Sequence, residues 1–182
     1  MKRYITLLRG INISSKNKVP MAELKKCFEA LDFMDVKTCL NSGNVIFSGN
    51  DTEVAELTER IERKIQSQFN LHIPVFVILR EDLEDILQHA PDWWGTEDKE
   101  IYDKLIFIMP PANFQDVYDE IGEPKEGLEK IQQYKAAVFW SFSRKNYQKT
   151  NWWPKTASAN IGSKLTIRTA NTVRKIVRIV SV

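Results

Sequence analysis

The chain has 182 residues, of which 43% are hydrophobic and 27% charged, with seven glycines and seven prolines. This composition excludes a disordered, collagen-like or low-complexity protein, and the length suits one compact domain or two halves of about 90 residues. The two cysteines make neither a disulfide framework nor a zinc site, and no apolar run approaches the roughly 20 residues of a membrane span. We therefore expect a soluble, cytoplasmic protein that has no membrane partner.

The charges nearly cancel, at a formal net charge of +2, but they are distributed unevenly along the chain. Residues 130–182 carry eleven Lys and Arg side chains and no carboxylate, so all 24 acidic residues precede them. Residues 81–103 hold nine of these acids and a single base, Lys99. Either the two blocks neutralise each other inside the molecule, or the basic block faces an anionic partner.

The spacing of apolar residues in the first half predicts the order β-α-β-β-α-β. The predicted strands span 4–8, 36–40, 44–48 and 74–79. One helix is predicted to start at Pro20, and the other is predicted to be capped by Asn50 or Asp51. This order is typical of the split βαβ, or ferredoxin-like, arrangement.

The second half repeats much of this pattern after a short acidic helix predicted over 81–89. Its predicted strands span 104–109, 128–134 and 137–142, and its predicted helices span 113–121 and 169–182. The sequence indicates no clear last strand for this half. We therefore expect an α+β fold of duplicated ferredoxin-like halves with mostly antiparallel sheets, divided into residues 1–80 and 81–182.

The strand order predicts one candidate site at an edge of the first sheet. The first two strands run parallel because a crossover helix joins them, so the loop after the first strand and the hairpin after the second emerge at the same end. Polar side chains suited to a small anion converge there: Arg9, Asn12, Lys16, Lys18, Asn41, Ser42, Asn44 and His72. An arginine can hold a carboxylate or phosphate bidentately, but these side chains could equally hold only the loops themselves.

Three short motifs at this edge carry a resemblance to a known bacterial family. They are Leu-Leu-Arg-Gly-Ile-Asn at 7–12, Lys-Asn-Lys-Val-Pro-Met at 16–21 and Asn-Ser-Gly-Asn-Val at 41–45. In order and spacing they resemble domain of unknown function 1697 (DUF1697), closely over about the first 80 residues. The resemblance implies a duplicated α+β fold and no established activity.

A weaker match to the same family lies near the C-terminus, where the family tends to show Thr-x-Arg-Asn-Trp-Asn-Thr. This chain has Thr166, Arg168, Asn171 and Thr172 in that frame, and residues 169–170 are Thr-Ala where Asn-Trp is expected. On the basis of this resemblance, Arg168 and Asn171 join the candidate ligand-binding residues.

Aromatic and basic residues are interleaved in the last third of the chain. Bases stack on aromatic rings while Lys and Arg contact phosphates, so this composition is compatible with nucleic-acid binding. The candidate nucleic-acid-binding residues are Lys145, Lys149, Trp152, Trp153 and Lys155. Core packing is the alternative for most of the aromatic rings, whereas the two adjacent tryptophans before Pro154 are expected to remain partly exposed.

The sequence contains no motif that identifies an enzyme, a metal site or a cofactor. Three functions therefore remain open. The favoured one is a non-catalytic binding module for an anionic partner, either nucleic acid or a phosphorylated small molecule. The second is an enzyme acting on a small anionic substrate, positioned by Arg9 and attacked by Ser42 or His72. In the third, the basic block only docks on the acidic residues 81–103.

Overall fold

Two four-stranded antiparallel sheets organise the computed structural model, which describes residues 1–50, 53–158 and 160–182. The strands are β1 (Lys2–Leu8), β2 (Met34–Cys39), β3 (Asn44–Gly49), β4 (Val75–Leu79), β5 (Ile101–Ile108), β6 (Glu129–Tyr134), β7 (Ala137–Ser143) and β8 (Leu165–Thr169). The α-helices are α1 (Met21–Glu29), α2 (Val54–Phe69), α3 (Arg80–Gln88), α4 (Phe114–Ile121), α5 (Trp152–Thr156) and α6 (Ala170–Val180). Short 3-10 turns cover Tyr147–Lys149 and Ile161–Lys164.

The chain divides into two compact units. The first consists of Met1–Glu84 with Lys175–Val182, and the second of Asp85–Arg174. The sheet orders are β2-β3-β1-β4 and β6-β7-β5-β8, so each unit has the β-α-β-β-α-β topology of a ferredoxin-like half. The predicted fold class is thereby confirmed, while the division at residue 80 stays a prediction.

Strand β8 is the main element that the sequence did not predict. It pairs with β5, with Thr169 opposite Lys104 and Leu165 opposite Ile108. Its composition, Leu-Thr-Ile-Arg-Thr, contains only two apolar residues, which is a weak signal for a strand, and Thr166 and Arg168 are polar and nevertheless buried. The predicted terminal helix begins one residue later, at α6, where the Thr169 hydroxyl accepts a hydrogen bond from the Thr172 amide at 3.2 Å.

The core of the first unit forms as the apolar spacing predicted. Helix α2 buries Leu57, Ile61 and Ile65 against the sheet. On the sheet itself, the Tyr4 and Phe47 rings stack with their centroids 5.4 Å apart. The residue that precedes this helix is Glu53; of the two predicted caps, Asp51 lies outside the described residues.

The centre of the sheet in the second unit is buried on both faces. On the face under α4 and α5, Trp140 and Phe142 belong to the hydrophobic core. Side chains alternate along a strand, so their neighbours point to the other face. There Leu105, Phe107 and Phe139 are at most 1% exposed. The centre of this sheet therefore lacks the open surface on which ferredoxin-like RNA-binding domains stack bases.

Among the described residues, no helix combines the length and the apolar character needed to cross a lipid bilayer.

One buried hydroxyl in the first unit offers a test of its packing. Thr6 is fully buried, and its Oγ1 has no hydrogen-bond partner among the described residues. A buried polar group left unpaired is destabilising, and valine has nearly the same shape. We expect Thr6→Val to raise the free energy of unfolding by about 1 kcal/mol, measured by urea denaturation. The control is Thr38→Val on the edge strand β2, which should change it by less than about 0.5 kcal/mol; a decrease for Thr6→Val would contradict the expectation.

Candidate functional site

At the loop edge of the first unit, the loop after β1 contacts the hairpin after β2. The Asn12 amide donates hydrogen bonds to the carbonyls of Val19 at 3.0 Å and Asn41 at 2.9 Å. Its Oδ1 accepts a hydrogen bond from the Val19 amide at 2.8 Å. One side chain thus ties the loop after β1 to the hairpin after β2, which confirms that the two emerge at the same end of the sheet.

The polar groups at this edge are largely used to hold backbone. Asn44 is fully buried, and its Nδ2 donates to the Cys39 carbonyl at 2.6 Å and to the Ser42 hydroxyl at 3.0 Å. The Arg9 amide donates to the Pro74 carbonyl at 3.0 Å, and the Arg9 side chain is half-buried. The remaining candidates at this edge are exposed: Lys16, Lys18, Asn41, Ser42 and His72.

In the second unit, the buried Glu129 carboxylate fixes the start of α5. It accepts hydrogen bonds from the backbone amide of Asn151 at 2.7 Å and from that of Trp152 at 3.3 Å. It also accepts one from the Trp140 indole at 3.0 Å. The first amides of a helix have no partner within the helix, so a carboxylate at this position satisfies them.

The two adjacent tryptophans have different environments, and only one of them fits the expected partial exposure. Trp152 is completely buried, and its indole donates to the Gly122 carbonyl at 3.1 Å. Trp153 is half-buried, and its ring lies 4.8 Å from that of Tyr147 and 5.7 Å from that of Phe142. Trp152 is therefore a core residue, and Trp153 is the one available to a ligand.

The predicted basic residues of this region also differ in role. The Lys155 ammonium donates to the Ile121 carbonyl at 2.9 Å, at the C-terminal end of α4, where a cation is favourable. Lys145 and Lys149 are exposed on the segment between β7 and α5. Of the three predicted lysines, Lys155 thus contributes to the fold, whereas Lys145 and Lys149 are the exposed ones.

A cluster of cations and aromatic rings lies beside Trp153. The Lys104 Nζ is 4.7 Å from the Trp153 ring centroid, 5.8 Å from that of Tyr102 and 6.0 Å from that of Phe142. The Arg144 guanidinium carbon is 4.2 Å from the centroid of the Tyr102 ring. The negative faces of aromatic rings attract such cations, which holds them in place without a carboxylate.

Lys104 is a site residue that the sequence did not indicate. It is the first residue of the strand predicted over 104–109, and it follows the charged Asp103, so no local pattern distinguishes it. It lies opposite Trp140 on one side and Thr169 on the other. Residues directly opposite each other share a face of the sheet, so Lys104 is on the face covered by the helices.

A cleft of about 300 Å³ opens at this lysine. The helix beside it, α5, has only 5 residues, whereas α2, in the same position of the first unit, has 16 and packs on its sheet. The residues that line the cleft are Lys104, Trp140, Trp153, Thr156, Ala157, Ile167, Arg168 and Thr169. None of these lining residues is acidic.

The candidates from the C-terminal resemblance lie on β8 and α6. Arg168 is buried, and its guanidinium donates to the Thr166 hydroxyl at 3.1 Å and to the Ile167 carbonyl at 3.0 Å. Burial lowers its pKa to about 10, so the group remains charged at neutral pH. Its position opposite Leu105 directs the side chain to the face of the sheet away from Lys104. Asn171 is exposed on α6.

An ion pair within the second unit joins the acidic and basic blocks. The Lys135 ammonium lies 2.6 Å from an Asp85 carboxylate oxygen, which also accepts a hydrogen bond from the Tyr134 hydroxyl at 3.0 Å. The His89 ring stacks on that of Tyr134, with centroids 4.1 Å apart. The hydrogen bond from Lys135 is the main reason that the pKa of Asp85 lies below its ordinary value.

The described part of the chain was compared with the requirements of a metal site and of a nucleophilic thiol. No group of three or more His, Cys, Asp or Glu residues there is placed to hold a metal ion. Burial raises the pKa of the Cys27 thiol to about 11 and also raises that of Cys39. Both thiols are therefore protonated at neutral pH and poor nucleophiles.

The Glu129 hydrogen bonds predict a large effect of a small substitution. Glu129→Gln replaces one acceptor oxygen with an NH₂ group that faces N–H donors. We expect the free energy of unfolding to fall by roughly 2 to 4 kcal/mol, and the tryptophan emission to shift to the red as Trp152 becomes exposed. Urea denaturation followed by fluorescence measures both. The matched control is Glu126→Gln, an exposed glutamate three residues earlier; equal effects of the two substitutions would contradict the anchoring role of Glu129.

The Asp85 ion pair predicts a pH-dependent contribution to stability. Because the pKa of Asp85 is lowered in the folded state, its stabilisation is present above the ordinary value of 3.8 and is lost as the pH falls through the folded value. We expect Asp85→Asn to lower the urea midpoint at about pH 6.5, and to have a diminishing effect as the pH falls below 3.8. The exposed Asp92→Asn is the control. A difference that persists at low pH would mean that Asp85 acts by packing.

Comparison with known proteins places the chain in a family without a known activity. The conserved bacterial protein SP0830 from Streptococcus pneumoniae has a solved structure that is similar, with a TM-score of 0.86, 29% identity and 98% of each chain covered. No curated protein matches this chain. The family model described as "Protein of unknown function (DUF1697)" matches residues 1–139, well beyond the first 80 residues that carried the resemblance. The chain therefore belongs to the DUF1697 family.

Proposed function

We propose that this protein is a non-catalytic binding module for a small anionic ligand, which it holds in the Lys104 cleft. The observation that carries the proposal is a lysine ammonium placed over the Trp153 ring, in a cleft whose lining residues include no acid. An ammonium group that lacks a neighbouring carboxylate and is partly withdrawn from water attracts an anion more strongly than one on an open surface.

The size of the cleft supports a small ligand. Its volume of about 300 Å³ is at the lower end of the range for small-molecule sites. Nucleic acid would need an extended surface, and the centre of the sheet is buried on both faces. A phosphorylated small molecule is therefore better supported than nucleic acid.

The lining residues indicate the chemistry of the ligand. Trp140 and Trp153 supply aromatic walls, and Thr156 and Thr169 bring hydroxyl groups that can hydrogen-bond to an anion. A phosphate or carboxylate attached to a compact apolar or aromatic body fits this combination. The loop edge of the first unit has weaker support as an enzymatic site, because the Asn12 and Asn44 amides hold its backbone.

Phenyl phosphate is a suitable probe because it combines a small aromatic ring with a dianion. We expect it to bind the wild-type protein and to bind Lys104→Met about 10- to 100-fold more weakly, because a charge-assisted hydrogen bond is lost. Calorimetric titration gives the affinity, and the shift of the Trp153 indole N–H resonance locates the site. The control is Lys130→Met, an exposed lysine on β6 outside the cleft. Equal affinity of Lys104→Met and wild type would overturn the proposal.

A parallel titration with a short oligodeoxythymidine tests the nucleic-acid alternative, which is supported by three exposed cations on the segment that precedes the half-buried Trp153: Arg144, Lys145 and Lys149. If the small-ligand proposal holds, the oligonucleotide binds weakly. Tight binding that falls steeply with salt, and that Lys145→Glu with Lys149→Glu abolishes, would replace the proposal with a single-stranded nucleic-acid interface.

A further inference from the structure

We propose that Lys104 is a reactive amine that forms an imine with a small carbonyl compound bearing an anionic group, such as a 2-oxo acid. The inference rests on the proposed function, because the same cleft must admit the anion. It adds the chemical class of the ligand and a covalent step.

The geometry sets Lys104 apart from the exposed lysines of the chain. Its side chain crosses the helix-covered face of the sheet, and three aromatic rings lie within 6.0 Å of its Nζ. Trp140 and Thr169 are its cross-strand neighbours, and neither carries a charge. Lys104 lines the 300 Å³ cleft together with the aromatic residues Trp140 and Trp153.

In the first unit, the position equivalent to Lys104 is occupied by a residue of the hydrophobic core. In both units the first strand of the β-α-β-β-α-β order is central in its sheet, and the pairing of Leu8 with Val75 corresponds to that of Ile108 with Leu165. Tyr4 lies four residues before Leu8, and Lys104 lies four residues before Ile108, so Tyr4 corresponds to Lys104. Tyr4 is 1% exposed and stacks on Phe47 beneath the long helix α2. The second unit has a lysine and an opening at the equivalent place.

This environment favours the neutral amine that imine formation requires. Burial lowers the pKa of Lys104 below its ordinary value, even though the surrounding rings attract the charged form. A lysine desolvated in an apolar pocket is a better nucleophile at neutral pH than an exposed one, because a larger fraction of it is unprotonated.

The reaction balances without an oxidant or reductant. The neutral Nζ attacks the carbonyl carbon, a C–N bond forms, and two protons leave the nitrogen as the carbonyl oxygen departs as water. The resulting imine can take up a proton, so a positive charge remains next to the carboxylate of a 2-oxo acid. Thr156 and Thr169 line the same cleft and offer hydroxyl groups to that carboxylate.

Reductive trapping with glyoxylate tests the inference. The full chain is incubated at about neutral pH with glyoxylate and sodium cyanoborohydride, which reduces an imine and leaves a carboxymethyl group on the nitrogen. Peptide mapping by mass spectrometry then gives the labelling rate of each lysine. We expect Lys104 to be labelled at least about tenfold faster than the exposed Lys130 and Lys149. Labelling of Lys104 at or below their rate would overturn the inference.

Two outcomes separate this inference from the proposed function. Arginine forms no imine with glyoxylate, so Lys104→Arg should show no rapidly labelled site. If wild-type Lys104 is labelled slowly while phenyl phosphate binding depends on it, the reactive amine is refuted and the proposed function stands. If Lys104 is labelled rapidly but phenyl phosphate does not bind, the amine stands and the anionic class of ligand is refuted.

Discussion

The second unit depends on the buried carboxylate of Glu129. It connects β6 to the first amides of α5 and to the indole of Trp140, so it determines where both tryptophans of that short helix lie. Through Trp152 it completes the core, and through Trp153 it forms one wall of the Lys104 cleft. Glu129 is also the last acidic residue of the chain, so the acid-free segment begins directly after the residue that organises it.

The two units share a topology and differ in how their helices cover the sheet. The first covers its sheet with a helix of 16 residues and fills the space beneath with stacked aromatic rings. The second has a helix of 5 residues and places a lysine where the first has a tyrosine. The opening in the second unit is thus a difference between two units of the same topology, and the first unit shows that topology with its sheet covered. A cleft that is found in one of two units with the same topology is a stronger indication of a binding site than a cleft for which no such comparison exists.

The sequence allowed the fold to be predicted where local patterns were regular. The stripe of Leu57, Ile61 and Ile65 indicated α2, and chain direction alone placed the loop after β1 beside the hairpin. The site was harder to predict, because Lys104 becomes unusual only once Trp140 and Thr169 are known to lie beside it. The burial of Trp152 likewise depends on Glu129, 23 residues earlier, and no local pattern connects the two.

The brevity of α5 has a consequence for identifying the natural ligand. An isolated helix of five residues does not form in water, so this wall of the cleft exists only while the second unit is folded. A ligand seated there would bind the native chain and not the unfolded one, and the free energy of binding would add to that of folding. Collections of small metabolites can therefore be surveyed by the rise in melting temperature alone, without an assay for any reaction and without a label on the protein.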